Sequence, residues 1–89
     1  MSQNTDPDTS PTQMPQVDAI GLLCPLPVLR ARKALESLPP GAEICVLASD
    51  PAAIIDMPHF CAQSGHDFLG MTEADDHTIY HLRKGASRT

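Results

Sequence analysis

A chain of 89 residues with a formal charge of −5 is the size of one small domain, and folding at this size hides only about 60% of the surface that the unfolded chain exposes. That argues against a large enclosed cavity and places any chemistry at the surface. Eleven acidic against six basic side chains, with Phe60, Phe68 and Tyr80 as the only aromatics, argue against a direct nucleic-acid partner, which is held by Lys and Arg on phosphates and by stacking on rings.

No apolar run approaches the roughly 20 residues of a membrane span, and the N-terminus has neither the basic start nor the apolar stretch of a signal peptide. A cytoplasmic location with no membrane partner is expected. Residues 1–15 hold three prolines and no branched aliphatic side chain, too little apolar surface to offset the entropy of ordering. They are expected to be a disordered tail ahead of a folded domain over residues 16–85.

Gln16 to Ile20, ending at Gly21, reads as a first strand. Pro25 and Pro27 fit only at the opening of a helix, where the N–H groups of the first turn lack partners anyway. Val28, Ala31, Leu35 and Leu38 then fall at spacings of three, four and three, a single apolar stripe, with Arg30, Lys33 and Ser37 on the solvent side. Pro39-Pro40-Gly41 ends the helix.

Ala42 to Ala48 alternates like a half-buried strand, setting Ile44 and Val46 against Glu43 and Cys45. Asp50-Pro51 is a helix-start signal, and Asp56 with Pro58 repeats it, so a short turn leading into a second helix is expected, with Gly65 closing it. His66 to Glu73 and His77 to Arg83 flank Ala74-Asp75-Asp76 and suit an antiparallel hairpin. The order β-α-β-α-β-β predicts an α/β (α+β) fold, a four-stranded mixed sheet with both helices on one face. All basic residues lie in two clusters, Arg30, Arg32, Lys33 and Arg83, Lys84, Arg88, which a fold that joins them would turn into one positive region.

Cys24 is where the chain is organised for chemistry. It stands between the turn at Gly21 and a proline-led helix, and the N-terminal end of a helix dipole favours an anion, so a lowered pKa and a nucleophilic thiolate are expected. Pro25 and Pro27 bias Cys24 and Leu26 to extended backbone and stiffen the loop. Arg30 and Lys33 oppose the helix dipole where they stand, which points to a use outside helix stability. Leu22, Leu23 and Leu26 either form a docking surface or plug the end of the core.

Asp18-Ala19-Ile20-Gly21-Leu22-Leu23-Cys24-Pro25-Leu26-Pro27 resembles the signature of the TusA/SirA-like family of small sulfur-carrier proteins, with its Cys-Pro-x-Pro motif. Asp50-Pro51-Ala52, Asp56-Met57-Pro58 with Phe60-Cys61, Gly65-His66 and Leu82-Arg83-Lys84-Gly85 extend the likeness over roughly residues 17–85. The resemblance implies a two-layer α/β sandwich and a relay in which Cys24 takes sulfane sulfur as a persulfide, with no separate cofactor. The donor would be a cysteine desulfurase or rhodanese-like protein. The acceptor would serve tRNA thiolation, molybdenum-cofactor assembly or sulfur oxidation. Gly21, Pro25, Pro27 and Asp50 would shape the site, and Leu26, Arg30 and Lys33 would dock partners. Leu26 stands where some members carry an acidic residue.

Cys45 and Cys61 read as packing residues, Cys61 together with Ile54 and Ile55 on the core side of the second helix. The cysteines at 24, 45 and 61 are odd in number and lack a CxxC pair, so free thiols are expected. His59, Cys61 and His66 fit no standard zinc spacing, so no metal site is assigned, and His77 and His81 read as solvent-facing. Asp50 reads as a helix cap that can also hold the Cys24 loop, should the ends of the first two strands lie side by side. Two alternatives stand beside the carrier: a non-catalytic interaction or regulatory module of the same fold, and a redox protein cycling Cys24 through a sulfenic acid or disulfide.

Overall fold

The computed structural model describes residues 15–85, so the expected tail lies outside the described residues except for Pro15. That proline already belongs to the sheet edge, since the Cys45 N–H donates to its carbonyl at 3.0 Å. The elements are β1 (Gln16–Ala19), α1 (Leu26–Glu36), β2 (Glu43–Ala48), α2 (Ala53–Ser64), β3 (Asp67–Glu73) and β4 (Thr78–Arg83). The strands form one sheet in the order β1-β2-β4-β3. β1 runs parallel to β2, while β4 lies antiparallel to both β2 and β3. The mixed four-stranded sheet with two covering helices is the two-layer arrangement that the order of elements predicts.

The register places alternate side chains on the helix-covered face: Val17 opposite Val46, Ala19 opposite Ala48, Ile44 opposite Leu82 and Val46 opposite Tyr80. Against them pack Ala31 and Leu35 of α1 and Ala53, Met57, Phe60 and Cys61 of α2. The expected stripe of α1 faces inward, joined by Pro27, while Arg30, Lys33 and Ser37 are exposed; contrary to expectation, Lys33 stands in the last turn, where its charge favours the helix dipole rather than opposing it. The N–H groups of Ser37 and Leu38 close the last turn on Ala34 and Leu35, and the Lys84 ammonium donates to the Leu38 carbonyl at 2.7 Å. A cation at a helix C-terminus meets the negative end of the dipole.

α2 departs from expectation in two ways. It does not restart at Asp56: the helix runs unbroken from Ala53, with Asp56 in its first turn and Pro58 inside. The buried positions Ala53, Met57, Phe60 and Cys61 sit four, three and one apart, and this phase turns Ile54 and Ile55 outward, with Ile55 73% exposed. Gly65 ends the helix at φ +80°, a left-handed conformation that glycine adopts without the steric cost of a Cβ.

Of the second basic cluster, Arg88 lies outside the described residues; Lys84 reaches the end of α1, whereas Arg83 pairs with Asp67 at 3.1 Å on the sheet face away from the helices. Leu35 is 1% exposed and joins α1 to the sheet, so Leu35→Ala is expected to cost about 2–5 kcal/mol. Urea unfolding followed by circular dichroism measures it.

Candidate functional site

Because β1 and β2 are parallel neighbours, the loops at their C-terminal ends emerge at the same end of the sheet. The β1–α1 loop is bound to the β2–α2 loop by side chains of the latter. Ser49 Oγ accepts from the Gly21 N–H at 2.9 Å, and Asp50 Oδ2 accepts from the Cys24 N–H at 2.6 Å. The other oxygen of Asp50 accepts from the Ala52 N–H at 3.1 Å, so one carboxylate turns the chain into α2 and holds the Cys24 loop. Of the roles expected of Asp50, holding the Cys24 loop is present; the cap position of α2 is Ala52, without a side-chain bond, and Asp50 closes the turn just ahead of it instead.

Gly21 takes φ +85°, which lets the loop reverse direction just after β1. Within the loop the Leu22 N–H bonds to Ala19, the Leu26 N–H to Leu23 and the Ile20 N–H to Asp18 Oδ1. The Cys24–Pro25 peptide bond is cis. Leu26 is not extended as expected but is the first residue of α1, with Pro25 at the N-cap. Pro27, second in the helix, lacks only an N–H that would have no helical partner there.

Cys24 is exposed, and its Sγ donates to Asp56 Oδ2 at 3.0 Å. The expected lowering of its pKa is therefore reversed. The hydrogen bond to Asp56, partial burial and the negative charges of Asp56 and Asp50 all raise it above the ordinary 9.0. A helix terminus offers about half a unit charge spread over several N–H groups, whereas Asp56 sets a full charge beside the sulfur. The resting group is a thiol with its proton directed at a carboxylate. Asp56 is the site residue that sequence reasoning took for a helix start. Its signal was an acidic side chain three residues past the buried Ala53 and one before the buried Met57, hence at the margin of the core-facing stripe.

Between α1 and α2 lies an open groove of about 360 Å³, lined by Cys24, Val28, Arg32, Asp56, His59 and Phe60 among others. At this end of the sheet several apolar side chains are exposed, Ile20 and Leu23 (69%) on the β1–α1 loop, Leu26 at the start of α1, and Ile54 and Ile55 in the first turn of α2. Leu22 is half-buried and packs on the core, so the plug expected at the end of the core falls to Leu22, while Leu23 and Leu26 are exposed. Arg30 and Lys33 are exposed, but Arg30 turns to the Asp18 carbonyl at 3.3 Å. The basic side chain on the groove is Arg32.

The other candidates lie elsewhere. Cys61 is buried and burial pushes its thiol up to about 11. Cys45 faces away from the helices, as its alternation requires, yet is only 7% exposed, its Sγ 3.5 Å from His81 Nδ1. His81 is half-buried rather than solvent-facing because it lies between Cys45 and Thr72. His66 accepts from the Gly85 N–H at 3.1 Å, and burial with the nearby Lys84 lowers its pKa. Among the described residues no group of three His, Cys, Asp or Glu is placed to hold a metal ion, and no helix is long and apolar enough to cross a membrane.

Comparison with known proteins adds to this geometry. Residues 15–84 match the family described as Sulfurtransferase TusA. The chain is 40% identical over 70 residues to the sulfur carrier protein TusA of Pseudomonas entomophila, covering 79% of this chain and 88% of that one. It is 46% identical over 71 residues to a putative sulfur carrier protein of Archaeoglobus fulgidus, covering 80% and 92%. Among solved structures, the SirA-like protein of Desulfitobacterium hafniense superposes with a TM-score of 0.72 at 28% identity, over 81% of this chain and 99% of that one.

The proton held between Cys24 and Asp56 has a measurable consequence. Alkylation of Cys24 by iodoacetamide against pH is expected to show a midpoint above 9.0, because the thiolate is the reactive form. Asp56→Asn removes the charge that favours the thiol, so its midpoint falls and its rate near neutrality rises severalfold. An unmoved midpoint in that variant would remove Asp56 as the cause.

Proposed function

We propose that this chain, which belongs to the TusA sulfurtransferase family, is a sulfur carrier whose Cys24 takes sulfane sulfur as a persulfide and yields it to an acceptor protein. The observation that carries the proposal is the exposed Cys24 thiol on a loop tied down at both Gly21 and Cys24, with a proton acceptor 3.0 Å from its sulfur. Names of relatives as distant as Pseudomonas and Archaeoglobus point the same way.

The exchange is chemically balanced. Cys24 releases its proton to Asp56 as its sulfur bonds to the outer sulfur of a donor persulfide. The donor's S–S bond breaks, and the donor thiolate recovers a proton. The products are Cys24–S–SH and a donor thiol, with no oxidant and no separate cofactor. A rigid loop lowers the ordering cost of presenting the sulfur to a second protein. The donor is a cysteine desulfurase or rhodanese-like protein, and the acceptor serves tRNA thiolation, molybdenum-cofactor assembly or sulfur oxidation.

Gly21, Pro25, Pro27 and Asp50 shape the site, and Leu26, Arg30 and Lys33 receive the partner. Incubation with a cysteine desulfurase and cysteine, followed by intact mass spectrometry without reductant, is expected to add one sulfur atom at Cys24. That sulfur is lost to an acceptor thiol and never appears in Cys24→Ser. No addition from several protein donors, with Cys24 still open to alkylation, overturns the carrier and favours the interaction module.

Reversing Arg30 and Lys33 together to Glu is expected to slow transfer from an acidic donor and flatten its salt dependence, with the thermal midpoint little changed. Stopped-flow transfer at several salt concentrations reads this. Equal rates in the reversed variant would take both residues out of docking.

A further inference from the structure

The docking role proposed for Leu26, Arg30 and Lys33 leaves the groove beside Cys24 unexplained. The groove runs from Cys24 along one side of α1 through Val28 to Arg32, and along α2 from Asp56 through His59 to Phe60. Its two ends differ in charge. Asp56 stands at the sulfur, while Arg32 stands seven residues beyond Pro25, about 10 Å of helical rise. Among the described residues Arg32 forms no salt bridge, so its guanidinium is free to take a ligand. The volume of about 360 Å³ lies at the small end of ligand pockets and is enough for a small molecule.

We propose that this groove binds a low-molecular-weight persulfide bearing a carboxylate, and that Cys24 takes its outer sulfur directly, without a donor protein. The inference rests on the carrier function proposed for Cys24. Arg32 pairs with the carboxylate, a geometry for which a guanidinium fork is suited. His59 faces the same stretch of the groove, and Val28 and Phe60 contact the carbon backbone of the ligand. The persulfide end meets Cys24 and Asp56, whose negative charge favours the protonated R–S–SH form that the exchange requires.

Asp56 takes the Cys24 proton as Cys24 Sγ bonds to the outer sulfur. The ligand's S–S bond breaks, and its inner sulfur leaves and is reprotonated from Asp56. The sum is Cys24–SH plus R–S–SH giving Cys24–S–SH plus R–SH, with no net change of oxidation state. The glutathione present in reducing compartments is a thiol of the required kind.

The test is loading of the full chain by glutathione persulfide at increasing concentration, read by intact mass spectrometry as the gain of one sulfur, with a cysteine desulfurase as a parallel donor. The rate is expected to saturate. Arg32→Met should raise the half-saturating concentration about five-fold, the effect of one exposed charged pair, and Arg32→Lys should recover most of it. With the persulfide of mercaptoethanol, which has no carboxylate, wild type and Arg32→Met should load alike. A rate that stays linear in glutathione persulfide, or that ignores Arg32, overturns the groove as a binding site while desulfurase loading still stands. Failure of every donor to load Cys24 overturns the carrier function itself.

Discussion

Two loops that are distant in sequence become one surface through the carboxylate of Asp50. One of its oxygens receives the Cys24 N–H at 2.6 Å and the other the Ala52 N–H at 3.1 Å, so the same side chain fixes the start of α2 and the backbone of the cysteine. It can do so only because β1 and β2 are parallel, with Asp18 opposite Leu47 and Ala19 opposite Ala48, which brings their final residues side by side. A hydrogen bond to a carboxylate is roughly twice as strong as a neutral one. The direction of α1, the exposure of the sulfur and the approach of Asp56 all depend on that junction.

The opposite end is held by different means. The Gly41 N–H donates to the Lys84 carbonyl, the Lys84 N–H to Ala42 and the Gly85 N–H to the His66 ring, so the residues just past β4 close the loops beneath both helices. The molecule thus has one end occupied by its own backbone contacts and one end that presents Cys24, Leu23 and Ile55 to solvent. This division keeps the chemistry apart from the contacts that close the fold, while the core between them is carried by Leu35, Ile44, Met57, Tyr80 and Leu82.

Most of the fold was legible because its signals are local. The stripe from Val28 to Leu38, the alternation around Ile44 and the prolines at both ends of α1 each state a period or a boundary that nearby residues repeat. Cys24 was legible for the same reason, standing between Gly21 and two prolines. The contact between Cys24 and Asp56 was not, since it spans 32 positions and Asp56 with Pro58 also spells a helix start. Ile54 and Ile55 were misplaced by the phase of α2, where Ala53 and Met57 rather than the larger isoleucines take the inward positions. The acidity of the thiol was read with the wrong sign because a helix terminus is visible in a sequence and a carboxylate arriving from another helix is not.

The pair formed by Cys24 and Asp56 sits in the open, bordered by apolar side chains rather than enclosed by them. Water weakens the field of Asp56 at the sulfur, and a surface laid over Leu23 and Ile55 would strip that water and strengthen whichever charges remain. A covering surface that brings a cation would loosen the proton; one that brings none would tighten it. The nucleophilicity of this thiol thus depends on what covers it. Uncovered, the sulfur is held by the carboxylate beside it as the thiol, the less nucleophilic form.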